Sequence, residues 1–434
     1  MTIAELYEHR KNDSRWNTSY PLSPADWSPY RVNEPLSFEN EENLSFYVHI
    51  PFCQQLCSFC EYTRMKCPDH ELQRQYLETL ANDLRNFKVA NKKFTLYGFD
   101  IGGGTPTSLD EDNFHLLMDI YSEGMDGLNL SDDYEPSIEA TFQTISQRKL
   151  ELIAKRGFRR ISFGVQSSNG KVLTTVNRSA NAIGDMQLTI EQAHNFGIEK
   201  VNLDFMFGLS HQTIQSIEED LNTIRLLCPE QVTLYELRPN MIMEKADTTP
   251  SQRYDFYQKL YNGLVGMGYN ADFGQNTFSV STEDRGLSSY LRHRTIDFMP
   301  YKGFGISAQS MNRIGIAYNI GKNHSQIRSF LEANSFVEEY TYHLPPNELA
   351  SKYLAMSAYS GIFSLSKLSD ILCQDSCERY KEQLHFCLSN NLLESKTDGL
   401  IGISECGFEH YGAVFSLWYQ PYQTVLYQCQ GREA

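Results

Sequence analysis

Apolar and polar positions divide much of the chain into two alternating kinds of segment. Short runs rich in β-branched and aromatic residues stand at 44–50, 94–101, 136–142, 159–166, 200–207 and 231–237. Longer amphipathic segments lie between them, including a predicted helix around 69–88 and another near 110–122. Strands that alternate with helices are usually joined by right-handed crossovers, so this order predicts a parallel sheet.

Polar residues interrupt several of these predicted strands at or near their carboxyl ends. Glu139, Gln166 and Asp204 do so in three strands, and the loop GGGTPT follows directly after the second strand. Parallel strands are usually apolar on both faces, so polar residues within them need partners. In a β/α barrel the carboxyl ends of the strands form the rim where ligand sites are built. The pattern therefore predicts an α/β protein with a complete or partial parallel β/α barrel, rather than a doubly wound sheet.

The pattern changes on both sides of this region. The first 43 residues contain several prolines and few helix signals, which predicts an irregular arm. From residue 345 onwards, PPNELASKYLAMSAYSGIFSL, a helix near 375–390 and NNLLESKTDGLIGIS predict helices followed by a hairpin. We therefore expect an N-terminal arm (1–43), a partial TIM-type barrel with an extension (44–344) and a small, mainly helical, winged-helix-like C-terminal domain (345–434).

Net charge and hydropathy indicate which ligands and which cellular location to expect for the protein. The formal net charge of −16 argues against nucleic acid as the main ligand, because nucleic-acid-binding domains usually carry a basic surface. The start of the chain has no apolar core of a secretory signal, and no stretch approaches the roughly 18 apolar residues of a membrane helix. We expect a soluble, cytoplasmic protein without a membrane partner.

Three of the ten cysteines stand together in the loop after the first predicted strand, as Cys53, Cys57 and Cys60. In a reducing compartment such a group indicates metal binding or catalysis rather than disulfides. A structural zinc site needs four ligands, and the nearest further candidates, His49 and Cys67, are poorly placed. A cubane iron–sulfur cluster is normally held by four thiolates, so three leave one iron with an open position. We interpret the loop as a [4Fe–4S] site that holds a ligand at that iron; zinc is the alternative.

The spacing Cx3Cx2C after the first strand, with a glycine-rich loop after the second, resembles the signature of the radical S-adenosylmethionine (radical SAM) superfamily. The resemblance implies that the methionine amine and carboxylate of SAM chelate the open iron. It also implies that the reduced cluster cleaves SAM to methionine and a 5′-deoxyadenosyl radical, which abstracts hydrogen from a substrate.

Further motifs resemble the HemN-like group, the group of the oxygen-independent coproporphyrinogen III oxidases. They are YVHIPFC, GGGTPT, SIEAT, FGVQS, VNR, NLDFMFGLSHQT and GFGISAQSM, with NTSYP (17–21) in the arm. The group also contains haem chaperones, anaerobic haem-degrading enzymes and class C radical methyltransferases. Since the haem chaperones usually begin close to the first strand, the arm favours an enzyme.

The resemblance assigns expected roles to individual residues. Cys53, Cys57 and Cys60 would ligate the cluster. The positions expected to contact SAM are Tyr47, Phe59, Gly103, Gly104, Thr105, Glu139, Gln166, Arg178, Asp204 and Gln309. Phe59 would lie against adenine, the glycines would let the backbone approach the methionine amino group, and Arg178 would suit the methionine carboxylate. The group can hold a second SAM molecule or its substrate beside the first SAM.

One pair of residues departs from the coproporphyrinogen oxidases. These enzymes typically follow the third cysteine with Gly and a fourth Cys, whereas this chain has Glu61 and Tyr62. The difference counts against porphyrinogen decarboxylation and leaves a small-molecule substrate unassigned, with a tetrapyrrole or another aromatic molecule among the candidates. Methyl transfer, tetrapyrrole ring opening and haem delivery without turnover also stay open. A flavodoxin or ferredoxin is the electron donor that the resemblance implies.

Several cations could bind a carboxylated substrate. They are Arg64, Lys66, Arg285, Arg292, His293 and Arg294. A basic run is more often a solvated face than a binding site, so the sequence favours the simpler interpretation for most of them.

Overall fold

The computed structural model describes residues 2–11, 27–91, 93–237, 247–321, 327–332 and 338–419 of the 434-residue chain. In chain order its strands are β1 (Arg31–Val32), β2 (Asn43–Ile50), β3 (Phe52–Cys53), β4 (Met65–Lys66), β5 (Thr95–Gly103), β6 (Asn129–Ala140), β7 (Arg160–Gln166), β8 (Lys200–Phe207), β9 (Gln231–Glu236), β10 (Thr277–Ser279), β11 (Tyr301–Phe304), β12 (Gln309–Met311), β13 (Gly315–Asn319), β14 (Glu338–His343), β15 (Ile362–Ser364), β16 (Leu393–Ser395) and β17 (Leu400–Ile403).

The α-helices are α1 (Ile3–Arg10), α2 (His70–Ala90), α3 (Glu111–Met125), α4 (Gln147–Lys155), α5 (Gly170–Thr175), α6 (Ile183–Phe196), α7 (Ile214–Leu227), α8 (Pro250–Gly266), α9 (Ser289–Thr295), α10 (Ile327–Glu332), α11 (Pro346–Ser357), α12 (Leu365–Leu372), α13 (Ser376–Arg379), α14 (Lys381–Ser389), α15 (Glu405–Phe408) and α16 (Tyr411–Ser416). None of these described helices is long and apolar enough to cross a membrane.

Six parallel strands form the centre of the main sheet, in the order β2–β5–β6–β7–β8–β9. Each overlaps one of the predicted strand segments, and helices lie between consecutive strands as predicted. The largest difference is in β6, which begins at Asn129 rather than at the predicted residue 136. The predicted fold class, an α/β protein with a partial parallel barrel, is confirmed.

The two faces of these strands differ, because successive side chains point to opposite sides of a sheet. On the outer face, Ile138, Ile161, Leu203 and Val232 are at most 1% exposed and belong to the main hydrophobic core. On the inner face, polar side chains line a small internal cavity, among them Asp100, Ser137, Glu139, Arg160, Ser162, Asn202, Asp204 and Thr233. The residues of the outer face therefore contribute to the hydrophobic core, whereas those of the inner face are polar and line a cavity.

Antiparallel strands cover both edges of the parallel sheet. Beside β2, strand β11 runs parallel and then β12, β13 and β14 follow as antiparallel neighbours, with β1 of the arm paired to β14. Beside β9, strand β10 is antiparallel. Helix α9 lies against the inner face, where the ring of Tyr290 stacks on Tyr47 with 5.6 Å between centroids.

The C-terminal region combines helices α11–α16 with a three-stranded sheet of order β15–β17–β16. Strands β16 and β17 form the predicted hairpin, and the helix predicted near 375–390 is divided into α13 and α14. The region packs on α8 through Phe408, whose ring lies 4.1 Å from that of Tyr257.

The start of the predicted arm is more regular than expected. A capping box between Thr2 and Glu5 begins α1, so the prediction of an irregular arm was wrong for these residues. Tyr7 of α1 packs edge-to-face on Phe386, and Arg10 donates from Nη1 to the carbonyl oxygen of Ser416 at 2.6 Å. The segment NTSYP (17–21) lies outside the described residues.

Candidate active site

The three neighbouring cysteines lie in the segment that follows β2. Cys53 ends β3, and Cys57 and Cys60 lie in the loop between β3 and β4. Cys53 and Cys57 are 6% and 7% exposed, and Cys60 is partly exposed. The backbone N–H of Ser58 donates to the carbonyl oxygen of Val176 at 3.1 Å, which ties the loop to the segment after α5. The thiols are thus held close to the carboxyl ends of the parallel strands.

Each of the three thiols accepts a hydrogen bond from a different part of the fold. The donors are the Thr105 hydroxyl to Cys53 at 3.8 Å, the Arg178 guanidinium to Cys57 at 3.5 Å and the backbone N–H of Tyr62 to Cys60. Burial raises the pKa of the Cys53 thiol to about 12 and also raises the pKa of Cys60. Metal ligands must be thiolates, and donors aimed at sulfur favour that form.

The two metal groups considered for this loop place their sulfur ligands differently. Zinc draws each thiolate to about 2.3 Å from the same ion. In a cubane cluster each thiolate binds a different iron, so the sulfur atoms stand farther apart. Among the described residues, no group of three His, Cys, Asp or Glu side chains is arranged to hold one metal ion.

The two residues considered as a fourth protein ligand are both engaged elsewhere. The Nε2 atom of His49 lies 2.8 Å from the carbonyl oxygen of Thr63, and burial lowers the pKa of this imidazole to about 4. The thiol of Cys67 donates to the carbonyl oxygen of Ser108 at 3.3 Å. Three protein thiolates therefore fit a cluster that leaves one iron to another ligand.

The glycine-rich loop after β5 packs so closely that side chains are excluded. A Cβ atom on Gly104 would lie 2.7 Å from the carbonyl carbon of Pro51, and one on Gly102 would lie 2.5 Å from Cδ of Glu139. Gly103 has φ +111°, a conformation that glycine adopts readily. Its N–H donates to Oε2 of Glu139 at 3.0 Å. Glycine thus lets the loop approach both the cysteine loop and the next strand.

A cavity of about 1140 Å³, including the solvent at its mouth, lies between the cysteine loop and the carboxyl ends of β5–β9. Its lining combines thiols, glycine backbone and charged and polar side chains, the mixture expected of a ligand site. Eleven of the thirteen predicted site residues line it: Cys53, Cys57, Phe59, Cys60, Gly103, Gly104, Thr105, Glu139, Gln166, Arg178 and Asp204. The fold therefore brings together predicted site residues from Cys53 to Asp204 along the chain.

Two acidic residues form the strand side of this cavity. Glu139 faces the open cavity, yet the surrounding protein withholds much of the solvent and, with the charge of Asp204, raises its pKa to about 7. Burial raises the pKa of Asp204 to about 6, although Ser162 and Asn202 donate hydrogen bonds at 3.0 and 2.8 Å. Two neighbouring carboxyl groups can accept hydrogen bonds from hydroxyl groups or hold an ammonium group.

Gln166 and Arg178 are held in constrained positions at the same end of the cavity. Gln166 has φ 73°, in the left-handed region that favours glycine, and the loop after it is fixed by Asp220, which accepts from the N–H of Ser168 at 2.5 Å. Arg178 donates to the carbonyl oxygen of Gly164. A strained residue that the fold holds in place often marks a functional site.

Two predicted SAM contacts, Tyr47 and Gln309, lie beside the cavity and not in its lining. Tyr47 stacks on Tyr290, and its hydroxyl lies 3.4 Å from Nδ1 of His49. The side-chain oxygen of Gln309 accepts from Arg294 at 3.3 Å, and its amide donates to Tyr318 at 2.7 Å. Their contact with SAM stays a prediction, since the structure places them in an adjoining aromatic cluster.

The candidate cations separate into two classes. Arg64 lines the cavity, whereas Lys66 is exposed outside it. The others have partners away from the lining: Arg285 pairs with Asp272, Arg292 and His293 pair with Asp133, and Arg294 contacts Tyr290 and Gln309. Most cations of the basic run on and before α9 are therefore paired with other residues of the protein.

Sequence reasoning missed several lining residues. Met206 and Tyr235 alternate with core residues on β8 and β9, and Leu237 follows β9 directly. Their positions at the carboxyl ends of strands could have identified them, because the same alternation that selects Asp204 also selects Met206.

Comparison with protein families matches the part of the chain that supplies most of the cavity lining. Residues 47–224 match the family model described as the Radical SAM superfamily. The chain is 33% identical over 193 residues to "Heme chaperone HemW" of Bacillus subtilis, which covers 44% of this chain and 50% of the chaperone. The match thus spans about half the length of that relative.

Two coproporphyrinogen oxidases match over more of the chain. "Oxygen-independent coproporphyrinogen III oxidase" of Salmonella typhimurium is 27% identical over 352 residues, covering 76% of this chain and 74% of the oxidase. The solved structure "Coproporphyrinogen III oxidase (HemN) from Escherichia coli is a Radical SAM enzyme" superposes with TM-score 0.72 and 22% identity, covering 87% and 90% of the two chains. At that identity the structural likeness shows a shared fold.

Proposed function

Because this chain is a HemN-like radical SAM protein with a [4Fe–4S] cluster and SAM as cofactors, we propose that it is an enzyme acting on a bulky aromatic or tetrapyrrole substrate. The observation that carries the proposal is the cavity in which three cysteines, a glycine loop, the polar strand-end residues Glu139, Gln166 and Asp204, and Arg178 meet. Bound there, the cofactors supply reductive cleavage of SAM and hydrogen abstraction by the resulting 5′-deoxyadenosyl radical.

The cysteine loop would hold the cluster. We assign Cys53, Cys57 and Cys60 to three of its irons, and the donors of Thr105 and Arg178 would stabilise two of the thiolates. Burial of Cys53 and Cys57 would limit the access of solvent to the metal. The fourth iron would remain for the amine and carboxylate of SAM.

The opposite wall would orient SAM. Gly103 and Gly104 would admit the methionine amino group. The two terminal nitrogens of Arg178 donate to the Cys57 thiol and the Gly164 carbonyl oxygen, so this residue would act on the methionine carboxylate through its charge rather than as a two-pronged donor. Glu139 and Asp204 can accept hydrogen bonds from ribose hydroxyls. Phe59, packed beside an apolar group that includes Met206, is placed to lie against adenine. Gln166 completes the same wall, and a second SAM molecule or the substrate would lie beside the first SAM.

The substrate would lie beside Glu61 and Tyr62, the lining residues that follow the third cysteine. Tyr62 is 55% exposed, and an aromatic ring suits a flat, largely apolar molecule. Because Glu61 and Tyr62 replace the Gly-Cys pair of the coproporphyrinogen oxidases, the reaction can differ from theirs. Coproporphyrinogen oxidation, class C methyl transfer and anaerobic haem degradation are the candidate outcomes.

Anaerobic reconstitution with iron and sulfide, followed by dithionite and SAM, tests the proposed enzyme. We expect about four irons per chain in the wild type and formation of 5′-deoxyadenosine. The Cys53→Ala variant should lose the cubane cluster, whereas Cys67→Ala is a matched control that should keep it, since Cys67 bonds to Ser108 outside the cavity. A normal cluster in Cys53→Ala would refute the ligand assignment.

A haem chaperone is the second candidate, favoured by the 33% identity to HemW over 193 residues. The longer match to the oxidase of Salmonella typhimurium, over 76% of this chain and 74% of the oxidase, favours the enzyme. Haem uptake without SAM cleavage would support the chaperone, and 5′-deoxyadenosine formation with flavodoxin or ferredoxin as electron donor would support the enzyme. Mass spectrometry of whatever copurifies in the cavity would then identify the substrate class.

A further inference from the structure

The segment after the third cysteine brings one cation against the cysteine loop. Arg64 lines the cavity and donates from Nη2 to the carbonyl oxygen of Cys57 at 2.6 Å. Cys53, Cys57 and Cys60 line the same cavity. The guanidinium of Arg64 is therefore held against the backbone of the cysteine loop.

This charge is not neutralised by a neighbour in the described part of the chain. No carboxylate there lies within ion-pair distance of the Arg64 guanidinium, and its Nε atom makes no hydrogen bond. An arginine side chain stays protonated at any physiological pH. In an enclosed site such a charge is screened less by water and salt than on an open surface.

Resting on the proposed function, we propose that Arg64 raises the reduction potential of the cluster held by Cys53, Cys57 and Cys60. One-electron reduction adds a negative charge at the cluster and transfers no proton. A fixed positive charge nearby stabilises the reduced form more than the oxidised form, and local charge is one of the factors that set cluster potentials. With Arg64 in place, a reductant of given strength reduces a larger share of the protein.

The geometry favours this role over the binding of a substrate carboxylate by Arg64. One nitrogen of the guanidinium is already engaged by the Cys57 carbonyl oxygen, which turns the group towards the loop. A substrate-binding arginine would instead present two parallel donors to the open cavity.

Redox titration of Arg64→Met, Arg64→Lys and Lys66→Met tests the proposal. Lys66 is the matched control, because it is exposed two residues further on and does not line the cavity. Each protein is reconstituted anaerobically without SAM and titrated with mediators while the reduced cluster is followed by electron paramagnetic resonance. We expect the ratio of reduced to oxidised cluster at equal potential to fall about tenfold in Arg64→Met, equivalent to about 59 mV for one electron. Arg64→Lys and Lys66→Met should stay within about twofold of wild type, since one keeps the charge and the other loses a charge exposed to solvent.

Several results would overturn the proposal. Equal potentials in wild type and Arg64→Met would do so, and so would an equal fall in Lys66→Met, which would indicate an effect of net charge alone. If Arg64→Met does not assemble a cluster, Arg64→Gln is titrated in its place, because it keeps a donor for the Cys57 carbonyl oxygen. Loss of the cluster in both variants would assign Arg64 to loop assembly instead. A wild type without a cubane cluster would refute the proposed function itself, so the two failures are distinguishable.

Discussion

The outer and inner faces of the six parallel strands share a backbone but differ in the polarity and packing of their side chains. Leu203 on the outer face is fully buried in the core, and its neighbour Asp204 opens into the cavity. The same is true of Ile138 and Glu139. Because side chains alternate along a strand, residues adjacent in sequence serve different purposes. Substitutions on the outer face should therefore change stability, and substitutions on the inner face should change ligand binding.

The largest effect is expected on the outer face. Leu203→Ala removes a fully buried side chain and leaves a cavity, so the free energy of unfolding should fall by about 3 kcal/mol. Urea denaturation of wild type and variant measures this change. The SAM dissociation constant of the folded variant should stay within about threefold of wild type. A complete loss of SAM binding in a protein that is still folded would break the comparison.

The neighbouring inner residue should behave in the opposite way. Asp204→Asn keeps the size of the side chain but removes a charged acceptor, and we expect SAM affinity to fall about tenfold or more. Isothermal titration calorimetry on the reconstituted protein gives the affinity. The thermal midpoint should not fall, because the folded protein already raises the pKa of this carboxyl to about 6 and so disfavours its charged form. A lower midpoint with unchanged SAM affinity would reverse the assignment of the two faces.

The pH dependence of stability provides a further test of the inner face, with a smaller expected change in the free energy of unfolding. The pKa of Glu139 is raised from 4.5 to about 7, so the folded protein binds more protons than the unfolded chain between these values. The contribution of Glu139 to stability therefore falls as pH rises through this window. Without SAM, Glu139→Gln should gain stability relative to wild type between pH 5 and pH 7.5, as measured by the difference in urea midpoints. A constant difference across that range would mean that Glu139 titrates normally.

The smallest effect is expected for a cation that is already paired. Arg292 forms an ion pair with Asp133, both about 40% exposed, so Arg292→Ala should change the free energy of unfolding by less than about 1 kcal/mol. Its SAM affinity should stay within about twofold of wild type, in contrast to Arg178→Ala, which removes a residue of the cavity lining. Equal losses in both variants would show that the basic run belongs to the site.

The strands and the cysteine loop could be predicted because their causes are local. An apolar run such as 200–207 selects a strand, and three thiols within eight positions select a metal site. Helix α1 was missed because its apolar positions are few, and its start depends on a capping box of only Thr2 and Glu5.

The partners of the charged residues could not be read from the sequence. Arg292 meets Asp133 across 159 positions, and only the packing of α9 against the inner face brings them together. The contact of Gln309 with SAM stays a prediction, and the sequence did not indicate that its amide bonds to Arg294 and Tyr318. Contacts of this kind depend on tertiary structure, which local patterns do not contain.

The hydrogen bond from Arg10 to Ser416 has a consequence for the timing of synthesis. Its partners lie 406 positions apart, so it cannot form until nearly all of the described chain has left the ribosome. At about 5–20 residues per second, helix α1 waits roughly 20–80 s for its docking surface. During that interval the strands of the barrel can pair without it, so α1 is made before these strands and docks after them.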